Sequence, residues 1–543
     1  MDEEQSYKLD CQGWFALDGA LDAETCAQLL SSGDEALAQE TLLRSSAVAP
    51  LLDDVFENGW SGHPGAVSLM AGVDGFRVDR PPSFMESADG GKPASLWRGG
   101  SVRPGGGRTE ISLSREYWHS YGVRHCQGLL LVLALDDIEP DDGGFALVPC
   151  SHRNEVPTPA ALYDGAPLAQ HTVHCPPLKQ GTVLLLVPSL LRRLPTRQLP
   201  LLCVDLASNS ARPTPGGDAS AQQLEAGWQN FNRPGDEERP AWASDGQLDA
   251  LQSAVLERAS MRHDDSLVIR TSPDGQQAWV EQAAEPEPPP PPLSEHEARD
   301  WMDKWLFDLR GWLVVPDLLD AAWLAEANAV LDAEVAAVEQ RLAAEASPAT
   351  AAPSSAETGS RFSPAAPGAP SISVGDLFSL KDGLFRRLIA LPPVLHRLNW
   401  MLGDGYRQSG EPRAICNAPG SNGHGLHSGT LPSTPGNGWQ WMAAEGIGLT
   451  HSLNVAFQLR DVAEADGGFV AISGSQRANY PTPEGLMRND PEGSIQHIAA
   501  PAGSAILFNG GATAHGAWGW TGREGRQAII VNYLSRFIEY PRF

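Results

Sequence analysis

The chain of 543 residues carries two internal matches in the same order, and this repetition constrains its fold more than any other feature. Residues 9–30, LDCQGWFALDGALDAETCAQLL, resemble residues 307–328, FDLRGWLVVPDLLDAAWLAEAN. Residues 142–159, DGGFALVPCSHRNEVPTP, resemble residues 466–483, DGGFVAISGSQRANYPTP. The repetition predicts two copies of one fold, placed one after the other in the chain.

The matches also predict where the domains begin and end. A first domain is expected at residues 1–245, a linker at 246–300 and a second domain at 301–543. The linker contains EPEPPPPPL, residues 285–293, whose prolines favour a stiff polyproline II spacer. A hairpin is expected around SPDG, residues 272–275, and the Ala/Pro/Ser-rich insert at about 346–372 is expected to be a disordered loop.

Each copy reads as a β-rich domain with helices at its start. A short apolar strand is followed by an aspartate, Asp22 or Asp320, that is placed to cap a helix. Aliphatic runs such as GLLLVLAL and SLNVAFQL then lead into Asp-Gly-Gly turns. The expected fold class is mainly β with flanking helices, as antiparallel sheets stacked in a sandwich or jelly roll.

The charge of the chain indicates which partners to exclude, and its apolar runs, first residues and cysteines indicate its compartment. The formal net charge of −28 argues against nucleic acid and anionic membranes, since both bind basic surfaces. We expect no membrane span, because no apolar run approaches the roughly twenty residues needed. The acidic start, MDEEQSYKLD, is unlike a signal peptide, and seven cysteines without a C-x-x-C pair indicate reduced thiols. A cytoplasmic protein is therefore expected.

Comparison of the two copies separates structural residues from candidate metal ligands. His427, in GLHSGT, corresponds to Arg98 in LWRGGS. His515 corresponds to Arg193, because each lies twelve residues beyond the glycine that precedes a strand. Arginine stays cationic and cannot ligate a metal, so only the second copy is expected to bind one.

A further arginine completes the candidate site. Two neutral imidazoles can hold Fe(II) and leave positions open for dioxygen and a chelating keto acid such as 2-oxoglutarate. The far carboxylate of that co-substrate needs a fixed cation, which the fork of an arginine suits best. Arg526, at the start of the apolar run RQAIIVNY, is the candidate, and it is preferred to Arg523 because the strand follows it directly.

The second copy resembles the phytanoyl-CoA hydroxylase-like family of Fe(II)/2-oxoglutarate-dependent dioxygenases. The resemblance rests on GLHSGT, DGGFVAISGSQRANYPTP and AHGAWGWTGREGRQAIIVNY. It implies a double-stranded β-helix (jelly-roll or cupin-like) fold in each of the two tandem domains. It also implies Fe(II) and 2-oxoglutarate as cofactors, with His427 and His515 as metal ligands and Arg526 as the co-substrate residue. A small or lipid-like organic molecule and dioxygen would be the substrates, and the two copies are expected to contact each other.

The sequence departs from the family at Gly429, where the family has an acidic metal ligand two residues after the first histidine. His424 is expected to face the other side of a continuous strand, so it does not replace that acid. Three interpretations remain. A carboxylate from elsewhere (Asp404, Glu411 or Glu445) or a water fills the position in an oxygenase; chloride fills it in an iron halogenase; or the second copy is an inactive binding or scaffold module.

Overall fold

The computed structural model describes most of the two regions that carry the sequence matches. It describes residues 1–56, 76–78, 83–84, 97–100, 117–120, 123–126, 128–140, 145–156, 158–159, 162, 168, 172–193, 199–208, 267–271, 278–282, 295–345, 371–402, 406–428, 441–444, 447–450, 452–483, 486 and 494–535. Contacts group Met1–Asn209 with Asp300–Phe543 in one unit, and Ser210–Arg299 in another. We refer to residues 1–209 as the first half and to residues 300–543 as the second half.

The first half begins with helices and continues as strands. In order these are α1 (Glu3–Gln12), β1 (Trp14–Leu17), α2 (Ala23–Ser32), α3 (Glu35–Leu43), α4 (Ala49–Phe56), β2 (Phe76–Val78), β3 (Ser83–Phe84), β4 (Trp97–Arg98), β5 (Tyr117–Ser120), β6 (Val123–Cys126), β7 (Gly128–Ala134), β8 (Ala146–Leu147), β9 (Val183–Leu186), β10 (Arg192–Arg193) and β11 (Leu201–Ser208). As predicted, Asp22 caps a helix: its Oδ1 accepts the Thr25 N–H of α2 at 2.7 Å.

Between the halves, β12 (Leu267–Thr271) and β13 (Ala278–Gln282) pair antiparallel on either side of the turn expected at residues 272–275. That turn, the proline-rich spacer at 285–293 and residues 346–370 of the predicted insert lie outside the described residues. The last two residues of the insert, Ser371 and Ile372, belong to a strand.

The second half repeats the order of elements. It contains α5 (Glu295–Arg310), β14 (Trp312–Val315), α6 (Ala321–Glu345), β15 (Ser371–Val374), α7 (Pro392–Leu402), β16 (Arg407–Asn417), β17 (His424–His427), β18 (Met442–Ala444), β19 (Ile447–Leu449), β20 (Ser452–Gln458), β21 (Gly468–Ile472), β22 (Ile495–His497), β23 (Ala505–Phe508), β24 (His515–Trp518) and β25 (Arg526–Leu534). Asp320 caps α6, since its Oδ1 accepts the Trp323 N–H at 2.9 Å. No helix in the described part of the chain is long and apolar enough to cross a membrane.

Each half contains a larger and a smaller antiparallel sheet. The larger sheets have the orders β1-β9-β7-β11-β2 and β14-β23-β20-β25-β16-β15, with β3 also pairing with β11. The smaller sheets have the orders β4-β10-β8 and β17-β24-β21-β22. The strands that match in sequence therefore occupy matching places in the two halves, and the prediction of a mainly β fold with flanking helices is confirmed.

Alternate residues of the central strands bury opposite faces of the larger sheets. On β7, Leu129, Leu131 and Leu133 contact the cluster under the helices, whereas Leu130 and Val132 contact the cluster between the two sheets. Such a strand is buried on both faces and therefore reads as a continuous apolar run. In the second half the space between the sheets is lined by side chains from both sheets: Trp312, Ala456, Phe469, Ala471, Ile498, Ala500, Ile506 and Phe508.

Candidate metal centre

The two histidines predicted as metal ligands lie directly opposite each other. His427 is the last residue of β17 and His515 is the first residue of β24, and the antiparallel register pairs them. Their ring centroids are 4.1 Å apart. Because paired residues in a sheet project to the same face, both imidazoles lie on one side of the smaller sheet.

That side is the space between the sheets. His515 also pairs with Ala471 of β21, which lines this space. Its ring lies 4.7 Å from that of Phe508 and 5.9 Å from that of Phe469, measured between centroids. Only 6% of His515 is exposed, so the imidazole pair has an apolar wall on its inner side.

Hydrogen bonds and burial hold both imidazoles in the form that binds metals. The Nδ1–H of His515 donates to the Thr513 carbonyl at 2.8 Å, and the Nδ1–H of His427 donates to the Gly425 carbonyl at 3.3 Å. Since a carbonyl can only accept, each ring carries its proton on Nδ1 and presents a lone pair on Nε2. Burial, with a smaller contribution from His427, lowers the pKa of His515 to about 3, and burial also lowers the pKa of His427. Both rings are neutral at pH 7, so they fit a divalent metal.

The strand β17 ends before the position at which the family has its acidic ligand. Ser428 has φ 66°, in the left-handed region, so β17 ends at His427 and its alternation of faces stops there. Gly429, Asp404 and Glu445, and the side chain of Glu411, lie outside the described residues. Among the residues that the structure describes, no group of three or more His, Cys, Asp or Glu side chains is arranged to hold a metal ion.

His424 lies closer to the pair than the sequence predicts. It is the first residue of β17, and its ring centroid is 4.8 Å from that of His427, edge-on. A shift of register between His424 and His427 interrupts the regular alternation of faces, so the two are not separated as in a continuous strand. The glycines around it, in GHGLH, are a sequence signal for such a bulge.

Arg526 is a buried cation with few partners. It opens β25, is 5% exposed, and its Nη1 donates to Oδ1 of Asn417 at 3.3 Å. Its Nε is buried without a hydrogen bond among the described residues. Burial lowers its pKa to about 10, so it remains charged at neutral pH. Arg523, the other candidate in this stretch, is exposed.

The guanidinium of Arg526 belongs to the same inner layer as the histidines. A Cβ at Gly468, on β21, would lie 3.1 Å from its Nε, and the next residue, Phe469, contacts the ring of His515. Further along β25, Ile530 packs into the cluster between the sheets, and alternation puts Arg526 on that face. A buried guanidinium without a described counter-carboxylate, on the same inner layer as two neutral imidazoles, suits an anionic ligand that also binds the metal.

The first half has arginines in these places, with one correction of position. Arg98 pairs with Arg192, as His427 pairs with His515, and Arg192 also pairs with Leu147. The sequence count that matched His515 to Arg193 is therefore wrong by one, because the connection from β9 to β10 is one residue shorter than that from β23 to β24. Arg192 takes the place of the second histidine.

Larger apolar side chains accompany these arginines. Val132 and Leu147 line the space between the sheets of the first half, where the second half has Ala456 and Ala471. Leu147 pairs with Arg192 just as Ala471 pairs with His515. At these two positions the second half has the smaller residue, whereas at the place of Leu186 it has the larger Phe508, which lies against His515.

Other histidine and tryptophan side chains of this region have structural contacts. Nε2 of His497 bonds to the Gly467 carbonyl, and its ring stacks on Trp518 at 5.7 Å. The indole N–H of Trp441 donates to Asp308 and that of Trp520 donates to the Glu524 carbonyl, both at 2.6 Å. Trp439 lies outside the described residues.

Comparison with known proteins gives structural neighbours only. No family model matches the chain, and no curated protein matches it. HygX from Streptomyces hygroscopicus, solved with nickel and 2-oxoglutarate bound, is 18% identical and is covered over 90% of its length by 46% of this chain, with a TM-score of 0.34.

Two proteins of nogalamycin biosynthesis are also among the neighbours. The non-haem α-ketoglutarate-dependent epimerase SnoN is 18% identical, over 44% of this chain and 84% of SnoN, with a TM-score of 0.28. The non-haem α-ketoglutarate-dependent carbocyclase SnoK is 16% identical, over 45% of this chain and 84% of SnoK, with a TM-score of 0.29. Both are described as dependent on the co-substrate that the sequence predicts, and both TM-scores are low.

Proposed function

We propose that the second half is a non-haem Fe(II)/2-oxoglutarate-dependent oxygenase that hydroxylates a small or lipid-like organic substrate. The observation that carries the proposal is the pair of neutral imidazoles, His427 and His515, held in register on the inner face of the smaller sheet. In the same proposal the two halves are tandem double-stranded β-helix domains of the phytanoyl-CoA hydroxylase-like family, and the first half binds no metal.

In this proposal the two histidines bind the metal and Arg526 binds the co-substrate. His427 and His515 would hold Fe(II) through Nε2, because their Nδ1–H groups are engaged by backbone carbonyls. The guanidinium of Arg526 would bind the far carboxylate of 2-oxoglutarate, which would neutralise a buried charge. When bound, iron and 2-oxoglutarate together supply the oxidation of a C–H bond by dioxygen, with succinate and carbon dioxide as co-products. Phe469 and Phe508 limit water on the inner side of the pair.

The ligand at the third position decides between hydroxylation and halogenation. A carboxylate from Asp404, Glu411 or Glu445, or a water, would support hydroxylation. The absence of a side chain at Gly429 would also admit chloride, as in an iron halogenase. Chloride dependence of the product, measured once turnover is found, separates the two.

A catalytically inactive binding or scaffold protein is the second candidate. It is favoured by one observation, namely that no third protein ligand joins the two histidines among the described residues.

Anaerobic titration of the purified protein with Fe(II) and then 2-oxoglutarate tests the proposal. We expect a visible charge-transfer band in the wild-type protein and none in His427→Ala. His396→Ala serves as the matched control, because His396 is an exposed histidine bound to Asp300 at 2.7 Å. Absence of the band in folded wild-type protein at saturating iron would reject the oxygenase and leave the scaffold candidate.

A further inference from the structure

The two halves exchange their first helices. Helix α1 precedes β1 of the first half, yet Tyr7 and Cys11 pack in a cluster with residues of the second half's smaller sheet and of the segments next to it: Val470, Ile472, Ala478, Leu486, Ile495 and Ala514. Helix α5 precedes β14 of the second half, yet Trp305 and Leu309 pack with residues of the first half: Trp97, Val148, Cys150, Val156, Leu162 and Leu191. Each smaller sheet is therefore covered by a helix from the other half.

Two buried carboxylates fix this exchange. Asp10, at 0% exposure, accepts the backbone N–H of Asn479 at 2.7 Å and its side-chain Nδ2–H at 3.0 Å. Asp308, at 1% exposure, accepts the N–H groups of Glu155 at 2.7 Å and Val156 at 3.0 Å. Each aspartate also bonds its own half, Asp10 to Arg153 and Asp308 to Arg477 and Trp441, so it joins the two halves. The cross-half contact is the same in both directions, as in a symmetric dimer.

The centre of the exchange lies beside the same sheets. A Cβ added at Gly474 would lie 2.6 Å from Sγ of Cys150, and these two residues hold matching places in the repeated sequence. The thiols of Cys11 and Cys150 each donate to the Ser473 carbonyl at 3.3 Å. The helix of the first half thus reaches the turn that follows β21.

Further contacts connect this turn and helix α1 to the residues that directly precede His515 and His427. The N–H of Ala514 donates to Oγ of Ser475 at 2.9 Å, and its carbonyl accepts the N–H of Ile472 at 2.9 Å. Ala514 directly precedes His515 and belongs to the cluster that contains Tyr7. Leu426, which directly precedes His427, packs against that cluster as well. Helix α1 therefore supports the outer face of the two strands whose inner face carries the histidine pair.

We propose that Tyr7 is a positioning residue for the histidine pair of the other half, so that the first half, which has arginines in place of the histidines, serves to set their spacing. The inference rests on the proposed metal site. Tyr7 is fully buried, and a hydroxyl–hydroxyl hydrogen bond of 3.3 Å joins it to Thr482. Loss of the Tyr7 ring would remove packing from Leu426 and Ala514 on the outer face of the sheet. Metal affinity depends on how rigidly surrounding groups hold the ligands.

The chain contains a matched control for this test. Trp305 occupies the place in α5 that Tyr7 occupies in α1, and it is equally buried, but it supports the sheet with Arg98 and Arg192. Tyr7→Leu and Trp305→Leu should therefore lower the melting temperature to a similar extent. Only Tyr7→Leu should weaken Fe(II) binding to the full chain, by about 10- to 100-fold, as supporting residues of metal sites do. Tyr7→Phe, which keeps the ring, should restore affinity to within a few-fold of wild type.

Hydrogen–deuterium exchange of the metal-free protein gives a second measurement that does not depend on iron. Tyr7→Leu should speed amide exchange at 424–427 and 514–518, whereas Trp305→Leu should not. Wild-type protein that binds no iron would overturn the proposed function, and the exchange pattern would still decide the role of Tyr7. Equal effects of the two variants on iron binding or exchange, or no effect of Tyr7→Leu, would overturn the inference.

Discussion

Replacing Arg526 by methionine should stabilise the metal-free protein, although it removes a fully buried residue. Burial lowers the pKa of Arg526 from 12.5 to about 10, which corresponds to about 3 kcal/mol of unfavourable free energy for the folded, charged form. This cost is fully present at pH 7, below the folded-state pKa, and it would be relieved only as the pH rises through 10. Methionine has no charge and fills a similar length.

The opposing term is smaller. The variant loses one hydrogen bond to Asn417, which is long at 3.3 Å and worth about 1 kcal/mol. The net expectation is that Arg526→Met raises the free energy of unfolding by about 2 kcal/mol. Arg526 would therefore lower the stability of the metal-free protein while serving to bind the co-substrate, as is common where a charge is buried to bind a ligand.

Urea unfolding with and without 2-oxoglutarate and Fe(II) measures both effects. Wild-type protein should gain about 2.7 kcal/mol at a co-substrate concentration of 100 times its dissociation constant, and Arg526→Met should gain much less. Arg523→Met, an exposed substitution three residues away, should change neither value by more than about 0.5 kcal/mol. Destabilisation of Arg526→Met by several kcal/mol would mean that a protein group already neutralises the guanidinium, which would refute its assignment to the co-substrate.

Three further predictions concern other parts of the molecule. His152→Gln should reduce the loss of stability on acidification from pH 6.5 to 3, measured by urea unfolding. Burial lowers the pKa of His152 to about 3, so the unfolded chain binds the proton at a higher pH than the folded protein does. Glutamine can replace the imidazole here, because Gln476 at the matching place of the second half bonds to the Asp308 carbonyl as His152 bonds to that of Asp10. Asp308→Ala should lower the free energy of unfolding by about 3–5 kcal/mol, because it leaves buried partners unpaired; a change below 1 kcal/mol would contradict the exchange contact. His424→Ala should weaken iron binding less than tenfold in titration, since its ring only abuts His427, and a complete loss would identify it as a ligand.

The sequence predicts those residues of the candidate site that short local patterns mark. His427 and His515 could be singled out because the first half of the chain has arginines at the predicted matching places, and Arg526 because an apolar run follows it directly. The strand signals were equally local, since aliphatic runs ending at Asp-Gly-Gly are buried strands in both halves. Whether the site binds metal is a separate question, which the titration answers.

Register and long-range contacts could not be predicted in this way. A connection shorter by one residue moved the matching arginine from Arg193 to Arg192, and a shift within β17 brought His424 toward His427. Sequence spacing assumes continuous strands, so single-residue irregularities escape it. The packing of Tyr7 against Ala514 joins positions more than 500 residues apart, and nothing in the pattern of α1 identifies its partner.

The exchange of helices also determines when the chain can finish folding during synthesis. The sheet of Trp97 and Leu191 is completed by α5, which leaves the ribosome only after the intervening linker has been made. Helix α1 is translated long before its binding surface, which includes Ala514. Neither half can bury its smaller sheet as an independent, co-translational unit, so the nascent chain exposes apolar surface until the covering helix and the sheet it covers have both been made.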